Sequence, residues 1–183
     1  MTDGESLRRL LRERSIQRGD FVLASGRRSS YYIDCRRTTM SAEGMVLIGR
    51  MGWNAINRAG WRPACVGGLT LGADPVAYAI AAASFGSEHP IDAFSVRKEP
   101  KSHGTGRLIE GNFQSGDSVV VVEDVITSGE SASRASLVLE EAGGKVLGIL
   151  AVVDREEGGR RSLEALGRIV ITLTTVSELG LKA

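Results

Sequence analysis

Apolar runs alternate with stretches of helical spacing along most of this chain. A run without a polar face predicts a strand that is covered on both sides, as in a parallel sheet between helices. Strands are predicted on this basis at Pro63–Gly67, Ile91–Val96, Val119–Val122, Lys145–Val153 and Arg168–Leu173. Helical spacing and glycine stops predict helices at Ser41–Gly60, Val76–Ala83, Ala135–Ala142 and Ser162–Leu166, with a last helical turn at Thr175–Leu179. This alternation predicts an α/β fold, a doubly wound parallel sheet flanked by helices.

The first 40 residues follow a different pattern, that of a helix and a hairpin. The segment Thr2–Leu11 predicts a short helix that begins with a capping box and carries its leucines on one face. Two predicted strands, Phe21–Ala24 and Tyr31–Asp34, flank a turn that contains glycine and serine. Neighbouring strand residues point to opposite faces, so only one of Tyr31 and Tyr32 faces the core. The other is a candidate to cover a ligand, and a half-buried tyrosine is the alternative.

The composition bounds the class of protein. The chain has 183 residues, of which 42% are hydrophobic and 25% charged, enough for one compact core. We expect a single domain over residues 1–183, in which residues 1–40 add a helix and a hairpin to an α/β core at residues 41–183. The net charge of +1 gives no general basic field for nucleic acid, and the apolar runs are too short to span a bilayer. Cys35 and Cys65 lack metal-knuckle spacing and the N-terminus lacks a signal core, so we expect a cytoplasmic protein.

The segment Val119–Ser131 joins a buried strand, an acidic pair and a glycine turn without interruption. Glu123 and Asp124 are expected where the strand ends, and their mutual repulsion is relieved by a cation such as Mg²⁺ or by the hydroxyls of a sugar. The turn Thr127-Ser128-Gly129 offers hydroxyls and backbone N–H groups at the start of a helix, where phosphate binds. The segment therefore predicts a phosphorylated sugar as ligand. An ordinary connection with a solvated acidic pair is the alternative.

Polar or glycine-rich clusters follow four of the predicted central strands. They lie at Gly67–Asp74, Arg97–His103, Glu123–Ser131 and Asp154–Glu157. In a parallel sheet the carboxyl ends of the strands meet at one edge, which is where open α/β sheets bind ligands. The four clusters are therefore predicted to form one site, although loops are polar in any protein.

The cluster Arg97–His103 narrows the chemistry, because its cations have only Glu99 as an acidic partner. The basic residues are Arg97, Lys98, Lys101 and His103. They would repel one another unless they met a multivalent anion such as pyrophosphate. Cations that close over pyrophosphate as it leaves would stabilise a transition state. We expect a mobile loop here, with a solvated basic loop as the alternative, and we expect His89 to be an ordinary surface residue.

Two of these segments resemble a known family. An apolar strand followed by Glu-Asp-Val-Ile-Thr-Ser-Gly-Glu-Ser, residues 123–131, resembles the binding motif for phosphoribosyl pyrophosphate (PRPP) of the type I phosphoribosyltransferases. The loop Arg97-Lys98-Glu99-x-Lys101-x-His103-Gly104 resembles the catalytic loop of the orotate phosphoribosyltransferases within that family. Further resemblance lies in residues 25–34, in residues 68–75 and in Asp154-Arg155, so it covers most of the chain in the family's order.

The resemblance implies Mg²⁺-dependent transfer of phosphoribosyl from PRPP to orotate, giving orotidine 5′-monophosphate and pyrophosphate in pyrimidine synthesis. It implies catalytic roles for Lys101 and Asp124, with Mg²⁺ carried on PRPP near the acidic pair rather than held by protein ligands alone. The implied pyrophosphate ligands are Arg97, Lys98, Lys101 and His103. The implied ligands of ribose 5-phosphate are Glu123, Asp124, Val125, Ile126, Thr127, Ser128, Gly129, Glu130 and Ser131. The implied orotate ligands are Thr127 and Arg155, with Tyr31 and Tyr32 as further candidates.

The resemblance also carries expectations about assembly. It implies a homodimer in which the Arg97–His103 loop reaches into the neighbouring subunit's site. The apolar run Val76–Ala83 agrees with a dimer, because such a helix must be buried on more than one side, either inside the sheet sandwich or against a second subunit. One departure is Ala24, where several family members carry a substrate-binding lysine, and Arg27 or Arg28 are candidates to replace it.

Two other functions compete with this prediction. The first is phosphoribosyl transfer to a purine, which would share the PRPP motif. Neutral purines need no cation for a carboxylate, whereas the guanidinium of Arg155 suits the planar carboxylate of orotate. The second is a PRPP-sensing regulator without enzymatic activity. It would need a surface for nucleic acid, and the sequence shows neither a helix-turn-helix addition nor a strong basic excess.

Overall fold

The computed structural model describes residues 1–22, 28–99 and 108–181. Within these ranges the helices are α1 (Asp3–Arg14), α2 (Arg36–Thr39), α3 (Ala42–Arg58), α4 (Ala73–Ser84), α5 (Glu130–Glu141) and α6 (Gly159–Ala165). The strands are β1 (Ile16–Val22), β2 (Arg28–Ile33), β3 (Cys65–Leu69), β4 (Asp92–Val96), β5 (Ile109–Gly111), β6 (Ser118–Ile126), β7 (Lys145–Asp154) and β8 (Val170–Thr175).

Six strands form the central sheet in the order β5-β4-β3-β6-β7-β8, and β1 pairs with β2 as a separate hairpin. The neighbours from β4 to β8 in this order are parallel, which confirms the predicted parallel core. The edge strand β5 is antiparallel to β4 and was not predicted. It has three residues and ends in a glycine, so it lacks an apolar run that could reveal it.

The centre of the sheet is β6, whose valines at 119–122 are all fully buried. The even-numbered pair packs in the apolar cluster that contains Ile80 of α4, and the odd-numbered pair packs in the cluster that contains Leu139 of α5. Burying one valine stabilises a fold by roughly 1.5–3 kcal/mol. The strand that carries the acidic pair is therefore firmly held on both faces, as its sequence predicts.

Several element boundaries differ from the predicted ones. The strand β6 continues through the acidic pair to Ile126, because its backbone stays paired with β7 as far as Asp154. The hairpin begins at Ile16 rather than Phe21, and part of its predicted first strand lies outside the described residues. The segment predicted as a last helical turn forms a single turn, in which the Leu179 N–H donates to the carbonyls of residues 175 and 176.

The helices α1 and α3 begin where their sequences predict, whereas α4, α5 and α6 begin three to five residues earlier and α2 was not predicted. Thr2 and Glu5 form the predicted capping box of α1, and the Ser41 hydroxyl accepts a hydrogen bond from Gly44 N–H at 3.2 Å at the start of α3. Most of α4 is buried, although Tyr78 on its outer face is exposed. None of the helices in the described ranges is long and apolar enough to cross a membrane.

Candidate functional site

A cleft of about 630 Å³ opens at the carboxyl edge of the sheet. The loops that follow four neighbouring strands line it together with the end of the hairpin. Its lining residues are Tyr32–Arg36, Leu69–Gly72, Lys98, Glu123–Val125, Thr127, Ser128, Glu130, Ser131, Arg155 and Glu157. All four predicted clusters therefore contribute to one cleft, and the basic loop does so through Lys98 among the residues that the structure describes.

The acidic pair lies in the last part of β6 and lines this cleft. Glu123 is 6% exposed, and its Oε2 atom has no hydrogen-bond partner among the described residues. Asp124 Oδ1 accepts a hydrogen bond from Val125 N–H at 2.9 Å. Burial, followed by the charge of Asp124, raises the pKa of Glu123 to about 9, and burial also raises the pKa of Asp124. A buried carboxyl oxygen without a partner favours a bound cation or a hydroxyl donor.

The loop between β3 and α4 closes over the acidic pair. Of the predicted cluster Gly67–Asp74, only residues 70–72 form the loop, because β3 and α4 extend into the rest. A Cβ atom at Gly72 would lie 2.5 Å from Asp124 Oδ1 and 3.1 Å from Glu123 Oε1. Any larger residue at this position would therefore have to displace the Asp124 carboxyl.

The turn from Thr127 to Ser131 leads from β6 into α5 and encloses a hollow of about 80 Å³. Gly129 precedes the helix with a φ of +83°, a conformation that favours glycine. It provides no capping side chain, and Glu130 N–H makes only a long contact of 3.4 Å with Ser128 Oγ. The first N–H groups of α5 are thus available to an anion, which the helix dipole also favours. A helix start with available N–H groups is the arrangement that can hold a phosphate, and the predicted phosphate ligand stays a prediction.

Arg155 follows β7 directly and is 6% exposed. Its Nη2 donates to Glu157 Oε1 at 2.8 Å, and its guanidinium carbon lies 5.3 Å from the centre of the Tyr31 ring. Its Nε atom has no hydrogen-bond partner within the described ranges. An arginine that is held by an ion pair and an aromatic face, with a donor unused, is prepared to bind a planar anion. The sequence pointed to Arg155 but not to its pairing with Glu157.

The two tyrosines of β2 face opposite sides, as predicted. Tyr31 is buried beneath Arg155, whereas Tyr32 is 38% exposed and lines the cleft. The Phe21 ring lies 5.8 Å from the Tyr32 ring and supports it from within the hairpin. Tyr32 is therefore the residue that can cover a ligand, and Tyr31 fixes the arginine instead.

The residues on either side of the basic loop, Arg97 and Leu108, are joined by a backbone hydrogen bond. Lys101 and His103 lie outside the described residues. Arg97 N–H donates to the Leu108 carbonyl at 2.8 Å, and Arg97 Nη1 lies 3.8 Å from Glu110 Oε1 on β5. Glu110 is thus an acidic neighbour that the sequence did not reveal, because it lies on the strand that was not predicted.

One residue of the cleft was missed by the sequence. Arg36 begins α2 and lines the cleft, and its Nε donates to Asp34 Oδ1 at 2.9 Å. The only sequence signal was the arginine pair that follows the second hairpin strand.

Beside Arg36, Cys35 is buried, and this burial, more than the neighbouring carboxylates, raises the pKa of its thiol well above the ordinary range. The thiol is therefore protonated and unreactive at neutral pH.

The acidic pair also fits a magnesium ion. No three His, Cys, Asp or Glu side chains in the described part of the chain gather into a metal site. Mg²⁺ prefers oxygen ligands and commonly binds through one or two carboxylates together with phosphate oxygens of a substrate. Glu123 and Asp124, with one carboxyl oxygen unpaired, match such a shared site.

The chain is similar in sequence to known enzymes over nearly its whole length. It is 46% identical over 182 residues to an orotate phosphoribosyltransferase of Aquifex aeolicus, with 98% of each chain covered. It is 42% identical over 177 residues to an orotate phosphoribosyltransferase of Rhodopirellula baltica, with 94% of this chain and 92% of the relative covered. No protein-family model matches the chain.

The fold is likewise similar to solved structures. The orotate phosphoribosyltransferase of Mycobacterium tuberculosis H37Rv in complex with Fe(III) dicitrate superposes with a TM-score of 0.87 at 43% identity, covering 98% of this chain and 100% of that chain. The same enzyme in complex with 5-phospho-α-D-ribosyl 1-diphosphate gives a TM-score of 0.83 at 41% identity, with coverage of 98% and 100%. The similarity thus includes the whole sheet and its helices rather than a single motif.

Proposed function

The chain belongs to the orotate phosphoribosyltransferase family, and we propose that it transfers the phosphoribosyl group of PRPP to N1 of orotate. The products are orotidine 5′-monophosphate and pyrophosphate, in de novo synthesis of UMP. The observation that carries this proposal is one cleft lined jointly by a phosphate-sized helix start, an acidic pair and a buried arginine. Each of these three features matches one part of the two substrates.

The reaction exchanges one bond at C1 of the ribose for another. The bond from C1 to the pyrophosphate oxygen breaks, and the bond from C1 to orotate N1 forms. Pyrophosphate leaves with the electron pair of the broken bond, and the proton lost by N1 balances as protonation of the released pyrophosphate. Negative charge therefore grows on the leaving group while positive charge grows on the ribose ring. Groups that match these charges stabilise the transition state more than the bound substrates.

The ribose 5-phosphate binds along residues 123–131. The 5-phosphate lies at the start of α5, where N–H groups and the helix dipole favour it. Glu123 and Asp124 hold the 2- and 3-hydroxyls, and the unpaired Glu123 Oε2 accepts one of these hydrogen bonds. Asp124 also stabilises the positive charge that develops on the sugar.

Orotate binds at the Arg155 end of the cleft. The guanidinium pairs with the orotate carboxylate, and its position is fixed in advance by Glu157 and Tyr31. Tyr32 covers the ring, and Thr127 contacts it at the boundary with the phosphate turn. A purine has no carboxylate to use this arginine, which favours orotate as the acceptor.

Pyrophosphate is bound by the basic residues Arg97, Lys98, Lys101 and His103, with Lys101 as the main catalytic contributor. Glu123 and Asp124 would hold Mg²⁺ together with oxygens of PRPP. When bound, Mg²⁺ neutralises part of the charge of the leaving group. Two observations support this role for Lys98: it lines the cleft, and its charge lowers the pKa of Glu123 against the effect of burial.

The direct test is an assay of the purified protein with PRPP and MgCl₂, with either orotate or hypoxanthine as acceptor. With orotate as acceptor we expect release of pyrophosphate and loss of orotate absorbance. With hypoxanthine we expect no release of pyrophosphate. Turnover with hypoxanthine but not with orotate would refute the choice of acceptor. Binding of PRPP without pyrophosphate release on addition of orotate would favour a regulator instead.

We also propose that the protein works as a cytoplasmic homodimer with the Arg97–His103 loop shared across subunits. Exposed apolar side chains on α3 and just after α4, such as Val46 and Phe85, which is 89% exposed, support a contact with a second copy. Both cysteines are buried and free, as in a reducing compartment.

Mixing two inactive variants tests the shared loop. Lys101→Ala damages only the loop and Arg155→Ala only the pocket, so a mixed dimer regains one intact site if the loop crosses to the neighbour. Restored activity in refolded mixtures, with a dimer mass by light scattering, is expected. A loop that serves its own subunit would leave such mixtures inactive.

A further inference from the structure

Arg36 places in the cleft a cation that the roles above do not use. It is the first residue of α2, its side chain is 46% exposed, and its Nε donates to Asp34 Oδ1 at 2.9 Å. The helix beneath it is held firmly, because the buried hydroxyls of Thr38 and Ser15 lie 2.7 Å apart in a hydrogen bond. Neither Nη group donates a hydrogen bond to a residue in the described ranges, so the open side of the guanidinium is available to a ligand.

The charge of Arg36 acts on the acidic pair. Asp34 contributes most to the raised pKa of Arg36, and the charges of Tyr32 and Asp124 add to it. Arg36 in turn opposes the effect of burial on the pKa of Asp124. Lys98 acts in the same way on Glu123. Arg36 and Lys98 line the same cleft as the two carboxyls, and the charge of each acts on one of them, whereas Arg155 is paired with Glu157.

The stereochemistry of PRPP indicates which group such a cation meets. In an α-ribosyl diphosphate, the pyrophosphate lies on the same face of the ribose ring as the 2- and 3-hydroxyls. The acceptor base attacks C1 from the opposite face and gives a β-nucleotide. A cation close to the carboxyls that hold these hydroxyls is therefore on the face of the leaving group, not on the face of the base.

We propose that Arg36 binds the pyrophosphate group of PRPP and stabilises its departure, an assignment that rests on the proposed function and adds a residue to it. The guanidinium can pair with two phosphate oxygens, and Asp34 fixes its orientation beforehand. As the C1–O bond breaks, the charge gained by pyrophosphate strengthens this pairing. Arg36 thus binds the anion from the hairpin side, whereas Lys98, which also lines the cleft, follows β4.

The neighbouring arginine provides a matched control. Arg37 has the same charge, lies on the same short helix and is exposed, but it does not line the cleft. Arg36→Ala is compared with Arg37→Ala and with Arg36→Lys in assays that vary PRPP and orotate separately. Inhibition by pyrophosphate, and its binding measured by calorimetry with MgCl₂, give a second readout that does not require turnover.

For Arg36→Ala we expect kcat/KM for PRPP to fall about 100-fold, the usual size for one lost transition-state contact. The inhibition constant of pyrophosphate should rise about tenfold, while KM for orotate should change by less than about threefold. Arg36→Lys should recover part of the loss, because it keeps the charge without the fork. Arg37→Ala should match the wild type in every assay, and melting curves show whether each variant is folded.

Three results would overturn the assignment. Weaker orotate binding with unchanged pyrophosphate inhibition would place Arg36 on the base instead. Equal losses of PRPP turnover in Arg37→Ala and Arg36→Ala would show that the effect comes from overall charge and not from the position of Arg36. Wild-type kinetics of Arg36→Ala would show that Arg36 does not bind pyrophosphate. If the wild type made no orotidine 5′-monophosphate at all, the proposed function would fail, while calorimetry with pyrophosphate would still decide the role of Arg36.

Discussion

Replacing Glu123 by glutamine should stabilise the ligand-free protein, and increasingly so as the pH rises. The pKa of this carboxyl is raised from an ordinary 4.5 to about 9, first by burial and then by the neighbouring Asp124. Between these values the folded protein keeps a proton that the unfolded chain releases. The free energy of unfolding of the wild type therefore decreases as the pH rises through this window and is highest, as far as this group is concerned, below pH 4.5.

The size of the effect follows from the two pKa values. Each unit of difference corresponds to about 1.4 kcal/mol, so the full window has an upper limit of about 6 kcal/mol, of which about 4 kcal/mol falls between pH 5 and pH 8. The real difference is smaller, because protein interiors screen charge more than a dry medium does. In addition, the pKa of the neighbouring Asp124 is itself raised by burial. We therefore expect Glu123→Gln to remove about 2 kcal/mol of pH dependence over this range.

Urea unfolding at pH 5, 6, 7 and 8 measures this difference. The wild type is compared with Glu123→Gln and with a control, Glu141→Gln. The control makes the same chemical change at an exposed carboxylate. The stability of the Glu123 variant relative to the wild type should increase with pH, and that of the control should not. Calorimetry of PRPP binding in buffers of different ionisation enthalpy measures the protons that are released on binding. The wild type should release more protons than the Glu123 variant, because glutamine has no carboxyl proton to lose. Parallel stability curves for all three proteins would refute the buried, protonated Glu123.

Three further changes test separate parts of the cleft. Lys101→Ala should lower kcat by about 10²–10³-fold, and an effect confined to KM would contradict its catalytic role. Arg155→Ala should weaken orotate binding by about 10- to 100-fold in calorimetry and leave PRPP binding nearly unchanged, because it removes charged hydrogen bonds to one substrate; equal losses would contradict this. Gly72→Ala should raise KM for PRPP about tenfold, since its Cβ would lie 2.5 Å from Asp124 Oδ1 and displace that carboxyl. Unchanged PRPP kinetics in that variant would show that the loop yields freely.

Sequence patterns predicted the parts of the fold in which the local pattern allows one arrangement. Four valines in succession have no polar face, and the strand they form is buried on both faces. The acidic pair and the glycine turn follow that strand, so the topology of a parallel sheet brings them to the cleft with Arg155. The prediction placed the end of the strand before Glu123, because charged side chains usually mark a strand end. Backbone pairing with β7 continues to Ile126 regardless of those charges.

The missed features depend on contacts between segments far apart in the chain. The strand β5 is short and has no alternation, so only its pairing with β4 makes it a strand. Glu110 becomes a neighbour of Arg97 through that pairing. Arg36 lies on a helix of four residues without an apolar face, and nothing near it in sequence points to Asp124. Local patterns show what a residue can do but not which distant group it meets.

The pairing of Arg155 with Glu157 changes how acceptor selection should be understood. An unpaired buried arginine would attract any anion, whereas this one already has a carboxylate at 2.8 Å, so the pair carries little net charge. What remains is a set of donors on a guanidinium whose plane is fixed by the Tyr31 face, including an Nε that is unpaired among the described residues. Such an arrangement selects a ligand by the direction of its acceptors rather than by charge alone. A planar carboxylate attached to a flat ring can meet donors fixed in this way, and this is the reason that we propose Arg155 as the ligand of orotate.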